Sequence, residues 1–220
     1  MMTVKWHGKH FNGSPFKIVC HPLADPSKYF ISKELPKFSC LGVPVTLAIE
    51  SEDEIGKENL EIMIKEPSQA LLQNSISIED QKSYKVSFTP VKPGPHIISC
   101  LIDGSHMPRS PFKIKVFSAD RVIAKGPGLL DGSVGQKGWF LIDASDAGEG
   151  NLVIVIHGPK GGFKLDMKRD PENKRRVTVT YDPILQGSYL IDVQWSGFHI
   201  PGSPFNVIIT QEKSDIESIL

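Results

Sequence analysis

Cysteine is scarce in this chain. Three residues in 220 are too few and too odd a number for a disulfide framework, so reduced thiols in a reducing compartment are expected. Neither sign of charge is in excess. The 25 Lys and Arg balance the 25 Asp and Glu, which removes any general electrostatic attraction to nucleic acid or anionic membranes. No apolar run nears the roughly 18 residues of a membrane span. The start, Met1-Met2-Thr3-Val4-Lys5-Trp6, has no apolar stretch of signal-peptide length. These absences predict a soluble intracellular protein.

Chemistry-bearing patterns are also missing. Gly158-Pro159-Lys160-Gly161-Gly162 has neither the spacing nor the Ser/Thr of a phosphate loop and reads as a turn between strands. No nucleophile, base and acid cluster or recur, so no catalytic residues and no cofactor are predicted. His10, His106 and His199 occur once each at comparable places, which suits a hydrogen-bonded turn histidine and excludes one shared metal cluster. Lys168-Arg169…Lys174-Arg175-Arg176 is interrupted by Asp170 and Glu172, and reads as a solvated loop.

What the chain does contain is a signature written three times. Gly8…His10-Phe11-Asn12-Gly13-Ser14-Pro15-Phe16 is followed by Gly104…His106-Met107-Pro108-Arg109-Ser110-Pro111-Phe112, and then by Gly197…His199-Ile200-Pro201-Gly202-Ser203-Pro204-Phe205. The closing phenylalanines are spaced by 96 and 93 residues, which is a whole domain rather than a solenoid unit of about 20–50 residues. Gly104 and Gly197 permit a tight strand reversal. Pro111 and Pro204, lacking an amide donor, suit the start of an edge strand, and Phe112 and Phe205 then bury their rings.

Between signatures the text is all-β. Short apolar or alternating runs are separated by Gly, Pro and Asp, with no sustained helical period. In the last module they fall at Arg121–Ala124, Trp139–Ile142, Leu152–Ile156, Phe163–Met167, Val177–Tyr181, Tyr189–Trp195 and Phe205–Ile209. About seven strands make an immunoglobulin-like β-sandwich. The middle module repeats the plan, with Phe88, Gly94 and Phe112 matching Tyr181, Gly187 and Phe205. In the sixth strand Tyr189, Ile191, Val193 and Trp195 share one face, as do His96, Ile98, Cys100 and Ile102, so both sets are expected in the core.

The predicted layout is a terminal hairpin of an incomplete module over 1–20, tandem sandwiches over 21–117 and 118–210, and a charged tail over 211–220. An isolated hairpin is marginal in water, so the first twenty residues are expected to be poorly anchored in a fragment or mid-module start. Cys40 and Cys100 lie 60 residues apart, superficially like the bridge of secreted immunoglobulin domains. Cys40 aligns with Ser133 ahead of the second strand, however, and the last module has no cysteine. A bridge would favour an extracellular adhesion domain.

The third strand separates the modules. In the middle one Leu60, Glu61, Ile62, Met63, Ile64 and Lys65 alternate; in the last, Leu152, Val153, Ile154, Val155 and Ile156 are apolar on both faces. If Leu60, Ile62 and Ile64 face the core, then Leu152, Ile154 and Ile156 do too, and Val153 and Val155 point outward. Such side chains either need a cover or simply reflect β-propensity. In the fourth strand Phe163, Leu165 and Met167 alternate with Lys164, Asp166 and Lys168.

Trp195-x-Gly-x-His followed by Ile200-Pro201-Gly202-Ser203-Pro204-Phe205 resembles the immunoglobulin-like repeats of the filamin family. So do Tyr181-Asp182-Pro183, Gly187-Ser188-Tyr189, Ala124-Lys125-Gly126-Pro127-Gly128-Leu129, Val134-Gly135-Gln136 and Ala147-Gly148-Glu149-Gly150. The resemblance runs from about Val4 to Thr210. In the middle module Lys33-Glu34-Leu35-Pro36 replaces the Gly-x-Gly-Leu turn. The resemblance implies a non-enzymatic cytoplasmic, cytoskeleton-associated scaffold linked to actin through its parent protein. Partner strands, such as cytoplasmic tails of membrane receptors or signalling adaptors, would add beside the third strand (C) in the groove it forms with the fourth (D). Here that groove comprises Leu152, Val153, Ile154, Val155, Ile156, Phe163, Lys164, Leu165, Asp166 and Met167. It also implies alternatives: a rod module whose groove is self-covered, for instance by Leu23–Leu41, or a terminal repeat that homodimerises through strands C and D. Ser218-Ile219-Leu220 fits the carboxyl terminus that PDZ-type domains accept, although a frayed tail is the simpler reading.

Overall fold

The computed structural model describes residues 3, 5–10, 23–56, 58–159 and 164–211. At the start, β1 (Lys5–Trp6) and β2 (Lys9–His10) pair as an antiparallel hairpin. The middle module then runs β3 (Tyr29–Ile31), β4 (Phe38–Cys40), β5 (Val45–Ser51), β6 (Leu60–Lys65), β7 (Leu71–Leu72), β8 (Ser75–Asp80), β9 (Ser83–Phe88), β10 (Gly94–Ile102), β11 (Ser105–His106) and β12 (Phe112–Phe117). The last module runs β13 (Ile123–Lys125), β14 (Asp131–Ser133), β15 (Gly138–Asp143), β16 (Leu152–His157), β17 (Leu165–Arg169), β18 (Arg176–Tyr181), β19 (Gly187–Trp195), β20 (Phe198–His199) and β21 (Phe205–Thr210).

Each module is a sandwich of two sheets. In the middle one the order β3-β5-β9-β8 faces β4-β12-β10-β6-β7; in the last, β13-β15-β18-β17 faces β14-β21-β19-β16. Strands C and D are thus β6 and β8 in the first sandwich, and β16 and β17 in the second. Alternation along the central strand fixes the register. Tyr189, Ile191, Val193 and Trp195 are buried on one face of β19, as are His96, Ile98, Cys100 and Ile102 on β10.

The repeated signature is a hydrogen-bonded corner. Asp103 and Gly104, and likewise Ser196 and Gly197, all have positive φ, the geometry of a primed hairpin turn. Ser110 Oγ accepts the amide of Cys100 at 2.9 Å, and Ser203 Oγ that of Val193 at 2.8 Å. His106 and His199 hold the same serines through Nδ1, at 3.0 and 3.2 Å. The first copy, from residue 11 onward, lies outside the described residues. The prolines do not open edge strands. β12 lies between β4 and β10, and β21 between β14 and β19. They are tolerated because β4 pairs with β12 only from Lys115 and β14 with β21 only from Ile208, well beyond the proline. Phe112 and Phe205 are half-buried against their cores.

Three further expectations meet the structure. The first strand of the middle module forms without the Gly-x-Gly-Leu turn, led by the single 3-10 turn Pro26–Lys28, which Asp25 caps by accepting the Ser27 amide at 2.9 Å. Within Leu23–Leu41, β3 pairs with β5 and β4 with β12 in its own module, while Lys33, Phe38 and Cys40 also line a cavity beside Val153 of the last one. Cys40 and Cys100 are free thiols.

The two sandwiches meet without a loose connector. Phe117, which ends β12, is buried together with Ala119 and Val122 in the core of the last module, and half-buried Cys40 packs against that core. The Phe117 and Phe198 rings lie 5.7 Å apart. Lys115 pairs with Glu149 at 2.5 Å while standing 5.6 Å over the Phe38 ring.

Candidate functional site

Strand addition requires an unpaired backbone edge, and the modules differ there. In the last one β16 pairs with β19 alone among the described residues. In the middle one β7 pairs with Ile64 and Lys65 of β6, and the Asn74 side-chain amide donates to the Ile62 carbonyl oxygen at 3.0 Å. Among the described residues, the edge left unpaired in β16 is substantially occupied in β6.

The side chains follow the same division. On β16, Leu152, Ile154 and Ile156 face the core yet remain only half-buried. Of their counterparts, Leu60 is likewise half-buried, but Ile62 and Ile64 are 7% and 0% exposed. On the outer face Val153 and Val155 are 46% and 41% exposed. β17 forms the opposite wall. Leu165, Met167 and Arg169 lie opposite buried Tyr181, Val179 and Val177, so they share the inner face. Asp166 turns outward with Lys168, Met167 is exposed, and Lys164 is exposed just before the strand. Phe163 lies outside the described residues, as do 160–162 in the turn. The middle module keeps part of this geometry, because Ile76 and Ile78 of β8 are exposed although they lie opposite Val86 and Tyr84.

The half-burial of Leu152, Ile154 and Ile156 is absent from the sequence reading, which rests exposure on Val153 and Val155. Periodicity reports which face a residue takes, whereas openness depends on how far the two sheets part at their rim. Two cavities flank the start of β16. One of about 610 Å³, on the inner side, is lined by Leu152, Val177, Trp195 and Arg169. The other, about 860 Å³, lies on the outer side among Val153, Phe198, Phe117 and Val43. Phe38 of the middle module borders both.

The inner cavity is ringed by charge. Lys174 and Arg175 join Arg169 at its rim, and Lys115 and Glu149 border it from the junction. A hydrogen bond from Lys115, reinforced by the charges of Lys115, Arg175 and Lys113, holds the Glu149 carboxyl below its usual range. The loop cations singled out as merely solvated therefore also edge the groove. Arg169 does so because strand alternation turns it to the same side as Leu165 and Met167. Groups of three or more His, Cys, Asp or Glu with metal-binding geometry do not occur among the described residues. No helix there is long and apolar enough to cross a membrane.

Tandem sandwiches carrying one repeated corner define a chain of immunoglobulin-like repeats, and sequence comparison names the kind. The Filamin/ABP280 repeat model matches residues 23–113 and 116–206, so the chain belongs to the filamin repeat family. It is 31% identical over 214 residues to Filamin-C of Rattus norvegicus, covering 94% of this chain and 8% of that protein. It is 32% identical over 215 residues to Filamin-A of Drosophila melanogaster, covering 96% of this chain and 10% of the other. The chain thus spans about a tenth or less of these relatives. Among solved structures, the Escherichia coli adhesin FdeC aligns with a TM-score of 0.52 at 14% identity, covering 94% of this chain and 72% of that one. At that identity the likeness concerns fold alone.

Proposed function

We propose that the chain is a non-enzymatic scaffold segment of a cytoplasmic, cytoskeleton-associated protein, and that the last module holds extended partner peptides by strand addition along β16. The observation that carries this reading is the β16 edge, unpaired among the described residues, above half-buried Leu152, Ile154 and Ile156. An added strand would take main-chain hydrogen bonds from that edge and seat alternate side chains between β16 and β17. Burying apolar area there stabilises the complex by about 25 cal/mol per Å² before the cost of ordering the peptide. Suitable partners are cytoplasmic tails of receptors or of signalling adaptors, with actin reached through the parent protein.

The test is selection of decapeptides from a randomised display library on the immobilised full chain. Selected peptides should lose most of their affinity for Val155→Glu and for Met167→Glu, whose charges flank the groove on either wall. Peptides that bind both variants as well as the original sink the reading. The same bare edge also favours pairing of two copies through β16 and β17. A concentration-dependent doubling of mass in sedimentation, abolished by Val155→Glu, would support that alternative.

A further inference from the structure

The groove does not end within the last module. At its junction end the inner cavity combines an apolar floor, formed by Leu152, Val177 and Trp195, with a rim of Arg169, Lys174 and Arg175 and with Lys115 from the neighbouring sandwich. Glu149 is the one acidic side chain lining this cavity among the described residues, and Lys115 already engages it at 2.5 Å. Arg175 donates to the Ser145 carbonyl oxygen at 2.9 Å. Arg169 and Lys174 have no ion-pair partner among the described residues. Asp170 sits beside Arg169 in sequence, but its carboxylate accepts the backbone amides of Glu172 and Asn173 at 2.9 and 3.4 Å. Trp195 is 7% exposed, and its indole N–H lacks an acceptor among the described residues. The pocket therefore presents more positive charge and hydrogen-bond donors than it can satisfy itself, beside an apolar wall that weakens solvent screening.

Resting on the strand-addition reading above, we infer that the two modules together select a partner strand carrying an Asp or Glu at the end that lies over Leu152. A strand advances about 6.6–6.8 Å for every two residues. Apolar side chains of the partner would then cover Ile156 and Ile154, and the next inward position falls at the basic cavity. Its carboxylate would accept from Arg169 or Lys174, with Lys115 contributing attraction across the junction. Charge-assisted hydrogen bonds of this kind are about twice as strong as neutral ones.

The experiment takes one peptide selected as described above with an acidic end residue, together with its Gln counterpart, and titrates both into the full chain. The acidic peptide is expected to bind about tenfold more tightly, as one additional charge-assisted hydrogen bond would give. The Arg169→Gln, Lys174→Gln double variant should bind both peptides alike, at the weaker affinity. Lys174→Gln alone, at an exposed position, repeats the readout if the double variant loses thermal stability. Equal binding of the two peptides by the original chain overturns the inference while the groove reading stands, provided Val155→Glu weakens both. A selected set without acidic residues at either end overturns it too. Peptides indifferent to Val155→Glu sink both readings together.

Discussion

The Tyr181 hydroxyl donates to the Gly128 carbonyl oxygen at 2.6 Å, inside the last sandwich. That bond ties the end of β18 to the 3-10 turn Pro127–Leu129 between β13 and β14. Tyr181→Phe keeps the ring and strands the carbonyl. It is expected to lower stability by about 1–3 kcal/mol, read from the midpoint of urea unfolding. An unchanged midpoint would mean that Gly128 finds another donor.

Acid should weaken the same sandwich through Asp143. A hydrogen bond from the Ser145 hydroxyl, then the Ser145 amide and Arg176, holds this carboxyl below its usual range. A lowered folded-state value means that the unfolded chain takes up the proton first, so the contribution is whole at neutral pH. It fades as pH falls below about 4. Asp143→Asn is expected to be less stable at pH 7 and to lose less on acidification. Parallel stability–pH curves for the two proteins would refute the assignment.

Thiol chemistry offers a test of the junction. Burial pushes the Cys100 thiol up to about 12, and raises Cys40, half-buried beside the second core, in the same direction. Alkylation of the folded protein at pH 8, read by peptide mass spectrometry, should label Cys40 slowly and Cys100 only on unfolding. Comparable native labelling at both would contradict the described burial.

The strand plan was legible because burial in a sandwich leaves a period of two. Tyr189 to Trp195 and His96 to Ile102 announce their faces directly. The Ser-Pro-Phe corner announced the hairpin but not its sheet neighbours, since the short parallel strands Phe38–Cys40 and Asp131–Ser133 carry no alternation to read. The same limit applied to the groove. Val153 and Val155 stood out as apolar residues on an outer face. The half-burial of Ile154 depends on the gap between two sheets, which no local pattern encodes, whereas Arg169 turns toward the groove simply by continuing the alternation of Leu165 and Met167. Asn74, whose amide shields β6, carries no mark of that role in its sequence context.

Gly148 sits where the modules touch. Its φ is +78°, and a Cβ there would fall 2.3 Å from the Val116 carbonyl oxygen in the other module. Gly148→Ala therefore meets both a left-handed backbone penalty of about 1–2 kcal/mol and a clash across the junction. The expected result is a larger radius of gyration in small-angle scattering, with each sandwich still folded. An unaltered scattering curve would show that the contact yields at no cost in shape.

That junction also decides how the chain answers a pull. The Ser118 amide donates to the Ala147 carbonyl oxygen at 2.8 Å, one residue after β12 ends. There is no slack to draw out between the sandwiches, so tension must first break that bond together with the Lys115–Glu149 pair and the Phe117–Phe198 contact. Until it does, the two modules bear load as one stiff link.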